Sequence, residues 1–99
     1  MAERKKLTEA EIEQRLRSLA GWSLLNEKLH REILFRDFTQ AFAFMTGSAP
    51  IAERMNHHPE WFNVYNRVII DLSTHDAGGV TDTDFAFASS VNGLIPPTR

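Results

Sequence analysis

Trp61-Phe62-Asn63-Val64-Tyr65-Asn66-Arg67-Val68-Ile69-Ile70-Asp71-Leu72-Ser73-Thr74 is the stretch that decides the architecture of this chain. Within it Val68, Ile70 and Leu72 alternate with Ile69, Asp71 and Ser73, the period of two that a strand with one buried face requires. Tyr65-Asn66 separates this run from Trp61–Val64, so the two segments read as an antiparallel hairpin. A sheet with one apolar face has to be covered, and the flanking sequence supplies helices to cover it.

Immediately before the hairpin, Phe38, Phe42, Met45, Ala49 and Ala52 recur at helical spacing and predict a long helix with that stripe buried. Phe44, Ile51 and Met55 form a second apolar row, which either meets a partner subunit or broadens the core face. Gly47 and Pro50 predict a bend near residues 46–50 and not an end, because the apolar spacing continues in phase beyond them. Three helix starts carry a capping residue followed three positions later by one that can reach back: Thr8…Glu11, Asp37…Gln40 and Thr81…Asp84. The first helix carries Ile12, Leu16 and Leu19 and stops at Gly21; the third carries Phe87, Val91 and Leu94 and ends near Gly93, before Pro96-Pro97. An earlier hairpin joins Trp22–Leu25 to Leu29–Phe35 through Asn26-Glu27-Lys28. The order α-β-β-α-β-β-α implies an α+β, two-layer fold: a four-stranded antiparallel sheet with three helices on one face.

A chain of 99 residues is the size of one domain, taken here as 1–99 with 1–6 a solvated arm. It is 42% hydrophobic and 24% charged, with eleven basic against thirteen acidic residues, so a soluble protein without a nucleic-acid-binding stripe is expected. Having no cysteine, it is excluded from disulfides, thiolate catalysis and thiolate zinc sites. The N-terminus lacks a secretory pattern and no apolar run reaches the roughly 20 residues that span a bilayer, so a cytoplasmic location is expected, with no membrane partner.

Proton chemistry near neutral pH concentrates between Glu53 and Asp84, where three of the four histidines lie: His57, His58 and His75. Glu53 and His57 are four apart on the long helix, so the carboxylate can orient that imidazole; an ordinary surface pair of Glu53 with Arg54 or His57 fits the spacing equally well. His58 precedes Pro59 and is biased to extended backbone, so the two adjacent histidines leave the chain in different directions. His75 falls at a strand end on the side of Asp71 and Ser73, and Asp84 in the first turn of a helix. The bland alternatives are a helix ended by two histidines and an aspartate serving only as the partner of Thr81. Adjacent histidines rarely ligate one ion and the helical i,i+4 His pair is absent, so metal-free acid–base chemistry is the better expectation.

Taken together, Glu53-x3-His57-His58-Pro59-x5-Tyr65-x9-His75-x8-Asp84 resembles the signature of the pterin-4a-carbinolamine dehydratases, also known as dimerisation cofactors of a homeodomain transcription factor. Gly21-Trp22, Phe42-x-Phe44-Met45-Thr46, the run His57–Asn66 and Leu72-Ser73-Thr74-His75 extend the resemblance over Leu7 to Val91. The resemblance implies a hydro-lyase that dehydrates a 4a-hydroxytetrahydropterin to the quinonoid dihydropterin in tetrahydrobiopterin-type recycling, with the pterin as substrate and no cofactor. It implies His57, His58 and His75 as catalytic residues, supported by Glu53, Asp84 and Trp22, the last by default a core or interface aromatic. His57 and His75 would act as general acid or base from different sides of the ring. His58 and Asp84 would orient the pterin, and Glu53 would position His57. Thr83 stands where relatives often carry arginine, which removes one ligand-facing cation. The resemblance also implies a homodimer or tetramer, with Gly47, Ser48 and Pro50 arguing against the tetramer. A second function follows from the same helix: a protein-binding or assembly module that uses the surface of residues 38–56.

Overall fold

The computed structural model describes residues 5–96. Its elements are α1 (Glu9–Leu16), β1 (Ser23–Leu25), β2 (Lys28–Leu34), α2 (Phe38–Met55), β3 (Glu60–Val64), β4 (Arg67–Leu72) and α3 (Asp82–Asn92), with a short 3-10 turn at His75–Ala77. This is the α-β-β-α-β-β-α order, and the four strands form one antiparallel sheet in the spatial order β1-β2-β4-β3. Of the segment 1–6 read as an arm, residues 1–4 lie outside the described residues, while the Leu7 amide donates to Val80 O at 2.8 Å.

The alternation in β4 sets the layers. Val68, Ile70 and Leu72 are fully buried, and their cross-strand partners Ile33 and Leu29 share that face. The opposite face carries Leu34, Phe62 and Val64, all exposed. Both hairpins turn on two residues: Asn26-Glu27, with both φ values positive, and Tyr65-Asn66, with Tyr65 at φ 51; Lys28, expected in the first turn, instead pairs with Leu25 and opens β2.

All three predicted helix starts are present. Thr8 and Glu11 exchange a full capping box, and Thr81 and Asp84 form another. Asp37 Oδ1 accepts from the Gln40 amide at 2.8 Å, but the Gln40 side chain reaches back one residue further, to the Arg36 amide at 2.7 Å.

Helix α2 departs from its expected orientation. The buried stripe is Ala41, Phe44, Ser48 and Ala52, whereas Phe38 and Phe42 are 49% and 52% exposed. Phe44 is selected for the core because its ring packs on Phe35, with centroids 5.2 Å apart. Ser48 is tolerated there because its hydroxyl donates to Phe44 O at 2.9 Å, leaving no unpaired polar group. The helix runs through Pro50 without ending, as the in-phase spacing implied. Leu94, expected on the buried stripe of α3, lies beyond the helix end and is exposed.

A polar pin that the sequence did not announce ties the α1–β1 connection to the end of α3. Asn92 Oδ1 accepts from Trp22 Nε1 and from an Arg31 guanidinium nitrogen, each at 2.8 Å. Ala20 O accepts from that same arginine nitrogen at 2.9 Å and from Asn92 Nδ2 at 3.1 Å. Burial lowers the pKa of Arg31 from the usual arginine value, the direction expected for a cation withdrawn from water. Gly21 is required here: its φ is +88°, and an added Cβ would lie 2.4 Å from Arg31 Cζ. Among the described residues no helix is long and apolar enough to cross a membrane.

The exchanged faces of α2 have a measurable consequence. Phe44→Ala is expected to lower stability by about 3 kcal/mol or more, the usual cost of deleting a buried ring. Phe42→Ala should cost under about 1 kcal/mol in the monomeric chain. Urea denaturation of both variants checks this; equal losses would place both rings in the core.

Candidate active site

Asp84 is the centre of the candidate site. It sits in the first turn of α3, placed there by the Thr81 capping box, and is fully buried. Its Oδ2 accepts the Thr81 amide at 2.8 Å and the Thr74 hydroxyl at 2.9 Å, and its Oδ1 pairs with His57 Nε2. The Thr74 proton is thereby spent. Thr81 Oγ1 therefore donates to Thr74 Oγ1 at 2.7 Å, and accepts from the Thr83 amide at 3.2 Å. A carboxylate in the interior survives on this number of donors, since a buried charge without partners is prohibitively unfavourable. Among the described residues no buried side-chain N or O atom lacks a hydrogen-bond partner.

His57 reaches Asp84 because of how α2 ends. Asn56 adopts φ 50, ψ 46, the left-handed conformation that ends many helices, and the His57 amide then bonds back to Ala52 O at 3.0 Å. The chain turns at Asn56 and leaves the His57 ring 5% exposed. The β3–β4 register pairs Glu60 with Asp71. His58 lies two residues before this last pair and His75 four residues after it, at the same end of the hairpin. The hairpin thus delivers His57 and His58 to the end from which His75 departs.

His58 is exposed, and its Nε2 is 2.8 Å from Glu53 Oε2. This corrects the expected pairing: Glu53 holds His58, and His57 is held by Asp84. The four-residue spacing of Glu53 and His57 is overridden because Asn56 ends the helix before His57 can occupy its next turn. Asp84, expected against the ligand, has no exposed surface and touches His57 and Thr74 instead. Trp22 is likewise a core residue, 6% exposed, with its indole N–H committed to Asn92.

His75 opens the 3-10 turn that follows β4, one residue past the threonine that Asp84 grips. The turn is closed by the Thr74 amide on Gly79 O at 2.8 Å and by Gly78 at φ +76. His75 is exposed and lines a hollow of about 190 Å³ with Ser73, Thr74, Gly78 and Gly79 on one side. Asn26 and Glu27 of the β1–β2 turn, with Lys28 at the start of β2, form the other side. Lys28 Nζ pairs with Glu60 Oε1 at 2.6 Å, and this bond raises the Lys28 pKa above the ordinary lysine value. The same bond ties the β1–β2 turn to a residue two positions beyond His58. Asn26, Glu27, Lys28 and Thr74 were not anticipated as site residues; the Asn-x-Lys hairpin tip is a turn signal, and nothing local in the sequence places it beside His75. Among the described residues no group of three or more His, Cys, Asp or Glu side chains is placed to hold a metal ion.

The arrangement offers one imidazole backed by a buried carboxylate, a second on the surface backed by an exposed one, and a third at the mouth of a hollow. Groups of this kind accept and deliver protons. Residues 5–94 match the family model for pterin 4 alpha carbinolamine dehydratase. A protein of Solibacter usitatus with the provisional name pterin-4-alpha-carbinolamine dehydratase is 58% identical over 89 residues, covering 90% of this chain and 94% of its own length. A similarly named protein of Sulfurisphaera tokodaii is 46% identical over 91 residues, covering 92% of this chain and 98% of its own. The crystal structure of a transcriptional coactivator/pterin dehydratase from Brucella melitensis superposes with a TM-score of 0.90 at 44% identity, covering 93% of this chain and 100% of the other. A pterin dehydratase-like RuBisCO assembly factor of the alpha-carboxysome shares the fold, with a TM-score of 0.66 at 23% identity over 79% of this chain and 93% of its own. The chain belongs to the pterin 4 alpha carbinolamine dehydratase family.

Proposed function

We propose that this protein is a hydro-lyase that removes water from a 4a-hydroxytetrahydropterin, giving the quinonoid dihydropterin. The observation that carries this reading is the His57–Asp84–Thr74 chain, which fixes one imidazole and the backbone of a second histidine, His75, to a single buried carboxylate. In the reaction the C4a–O bond breaks as the hydroxyl takes up a proton, the N5 lone pair forms the C4a=N5 bond, and N5 loses its proton. Atoms and charge balance as loss of H₂O, and no electrons are exchanged with a cofactor.

The chemistry needs an acid on the hydroxyl and a base at N5, near neutral pH. His57 and His75 fill these roles from different segments. Asp84 is a positioning residue: its Oδ1 fixes the orientation of the His57 ring. His58, steadied by Glu53, orients the pterin from the rim; an exposed pair of this kind adds little stability, so its value lies in orientation. Thr83 leaves this rim without an added cation.

A second reading rests on a different observation. Phe38 and Phe42 stack on the outer face of α2, with ring centroids 5.6 Å apart, beside an apolar hollow that Ala43, Thr46 and Gly47 also line. Two exposed aromatic rings on one helix are the kind of surface that buries against another protein chain. The Brucella melitensis relative is described as a coactivator as well as a dehydratase, which supports a protein-binding role for α2 alongside catalysis. A further copy of this chain is the simplest occupant.

Three outcomes follow. Replacing His57 and His75 together by alanine should reduce stopped-flow dehydration to about the solvent background; an unchanged rate would defeat the assignment. Asp84→Asn should lower kcat by about two orders of magnitude, within the range of a positioned acid or base, with KM changed less; a normal kcat would remove Asp84 from the mechanism. In sedimentation velocity at micromolar concentration, the wild type should exceed a monomer and Phe42→Glu should be smaller, with an unaltered far-UV circular dichroism spectrum. A monomeric wild type would end the second reading.

A further inference from the structure

The β1–β2 turn contains a residue that the hairpin alone does not call for. Two-residue turns with both central φ values positive are normally built from Asn-Gly, because the second position crowds any Cβ. Asn26 at φ 52 conforms, but the second position is Glu27, at φ 65. A glutamate held in this conformation is disfavoured relative to glycine, and such outliers point to a demand other than folding.

The surroundings of this residue suggest what that demand is. Glu27 lines the hollow that contains His75, and also an adjoining hollow of about 250 Å³ edged by Lys6, Glu9, Leu24 and Gly79. Its carboxylate takes part in no hydrogen bond or ion pair among the described residues. The adjacent cation is already committed, since Lys28 Nζ is bonded to Glu60 Oε1 at 2.6 Å. That bond and the Leu25↔Lys28 pairing also hold the turn in place, so Glu27 stands on a braced hairpin.

We infer that Glu27 is a specificity-determining residue for the ligand of the His75 hollow, accepting hydrogen bonds from the pyrimidinone edge of the pterin. That edge presents N3–H and a 2-amino N–H side by side. The two oxygens of a carboxylate match this pair, and a charge-assisted double hydrogen bond of this type is directional and strong. The opposite side of the bicycle, with N5 and C4a, is then left to the histidines. This inference rests on the pterin reading above and adds to it the group that tells a pterin from a flat heterocycle lacking the amino group.

The test is calorimetric titration of the full chain with 6,7-dimethyl-7,8-dihydropterin and with the matching lumazine, in which a 2-carbonyl replaces the 2-amino group. Glu27→Gln keeps the shape but turns an N–H toward N3–H, whereas Glu27→Gly removes the group and suits the turn. The wild type should prefer the pterin. Both variants should bind it about tenfold more weakly and lose the preference, as expected for one lost charge-assisted contact. In the dehydration assay KM should rise with kcat within about twofold. Unchanged KM and preference in both variants, or a fall in kcat at constant KM, would overturn the role of Glu27 while leaving the dehydratase standing. Failure of the wild type to bind the pterin or to dehydrate the carbinolamine would overturn the underlying reading itself, and Glu27 with it.

Discussion

A single buried negative charge organises this molecule. Asp84 accepts from the cap of its own helix, from Thr74 two residues past β4, and from His57 two residues past α2. The end of α2, 27 residues away, is thereby brought to the turn after β4 and the start of α3 by one buried group. The position at the start of α3 helps, since the exposed amides and dipole of a helix N-terminus favour an anion. The requirement that stabilises the carboxylate also fixes a histidine ring, so folding and site assembly are one event here. The threonines complete the circuit: each hydroxyl donates once and accepts at least once.

The same economy governs the rest of the layer arrangement. The sheet buries one face under the helices and leaves the other open, and the loops at one end of the β3–β4 hairpin carry the reactive groups. Catalytic side chains on short, internally bonded turns at the end of a rigid sheet keep their geometry without a large core. The turn from Thr74 to Gly79 is braced by its own backbone bonds, and the β1–β2 turn by Lys28 on Glu60. Helix α2 is used on both sides, with small residues and Phe44 inward and paired aromatics outward.

The element order, both hairpins and all three capping positions were legible from local rules, because caps, two-residue turns and strand alternation are settled by atoms close in sequence. His57, His58, His75 and Asp84 were named from residue type and spacing, and of these the fold joins His57 to Asp84. Their pairing was not legible. Spacing linked Glu53 to His57, but the left-handed Asn56 ends the helix and gives His57 to Asp84, leaving Glu53 to His58. The faces of α2 were exchanged for a similar reason. Two apolar rows of comparable strength compete, and the choice depends on Phe35, which lies on another element.

The amino-acid order by itself determined which segments become helix and strand, where each begins, and which side chains can move protons near neutrality. Tertiary structure decided which carboxylate serves which imidazole, which side of α2 meets the core, and that an unremarked hairpin tip borders His75. The division follows range. Hydrogen bonds within three or four residues are written into local spacing, whereas a buried charge chooses its partners from whatever the completed fold brings within reach.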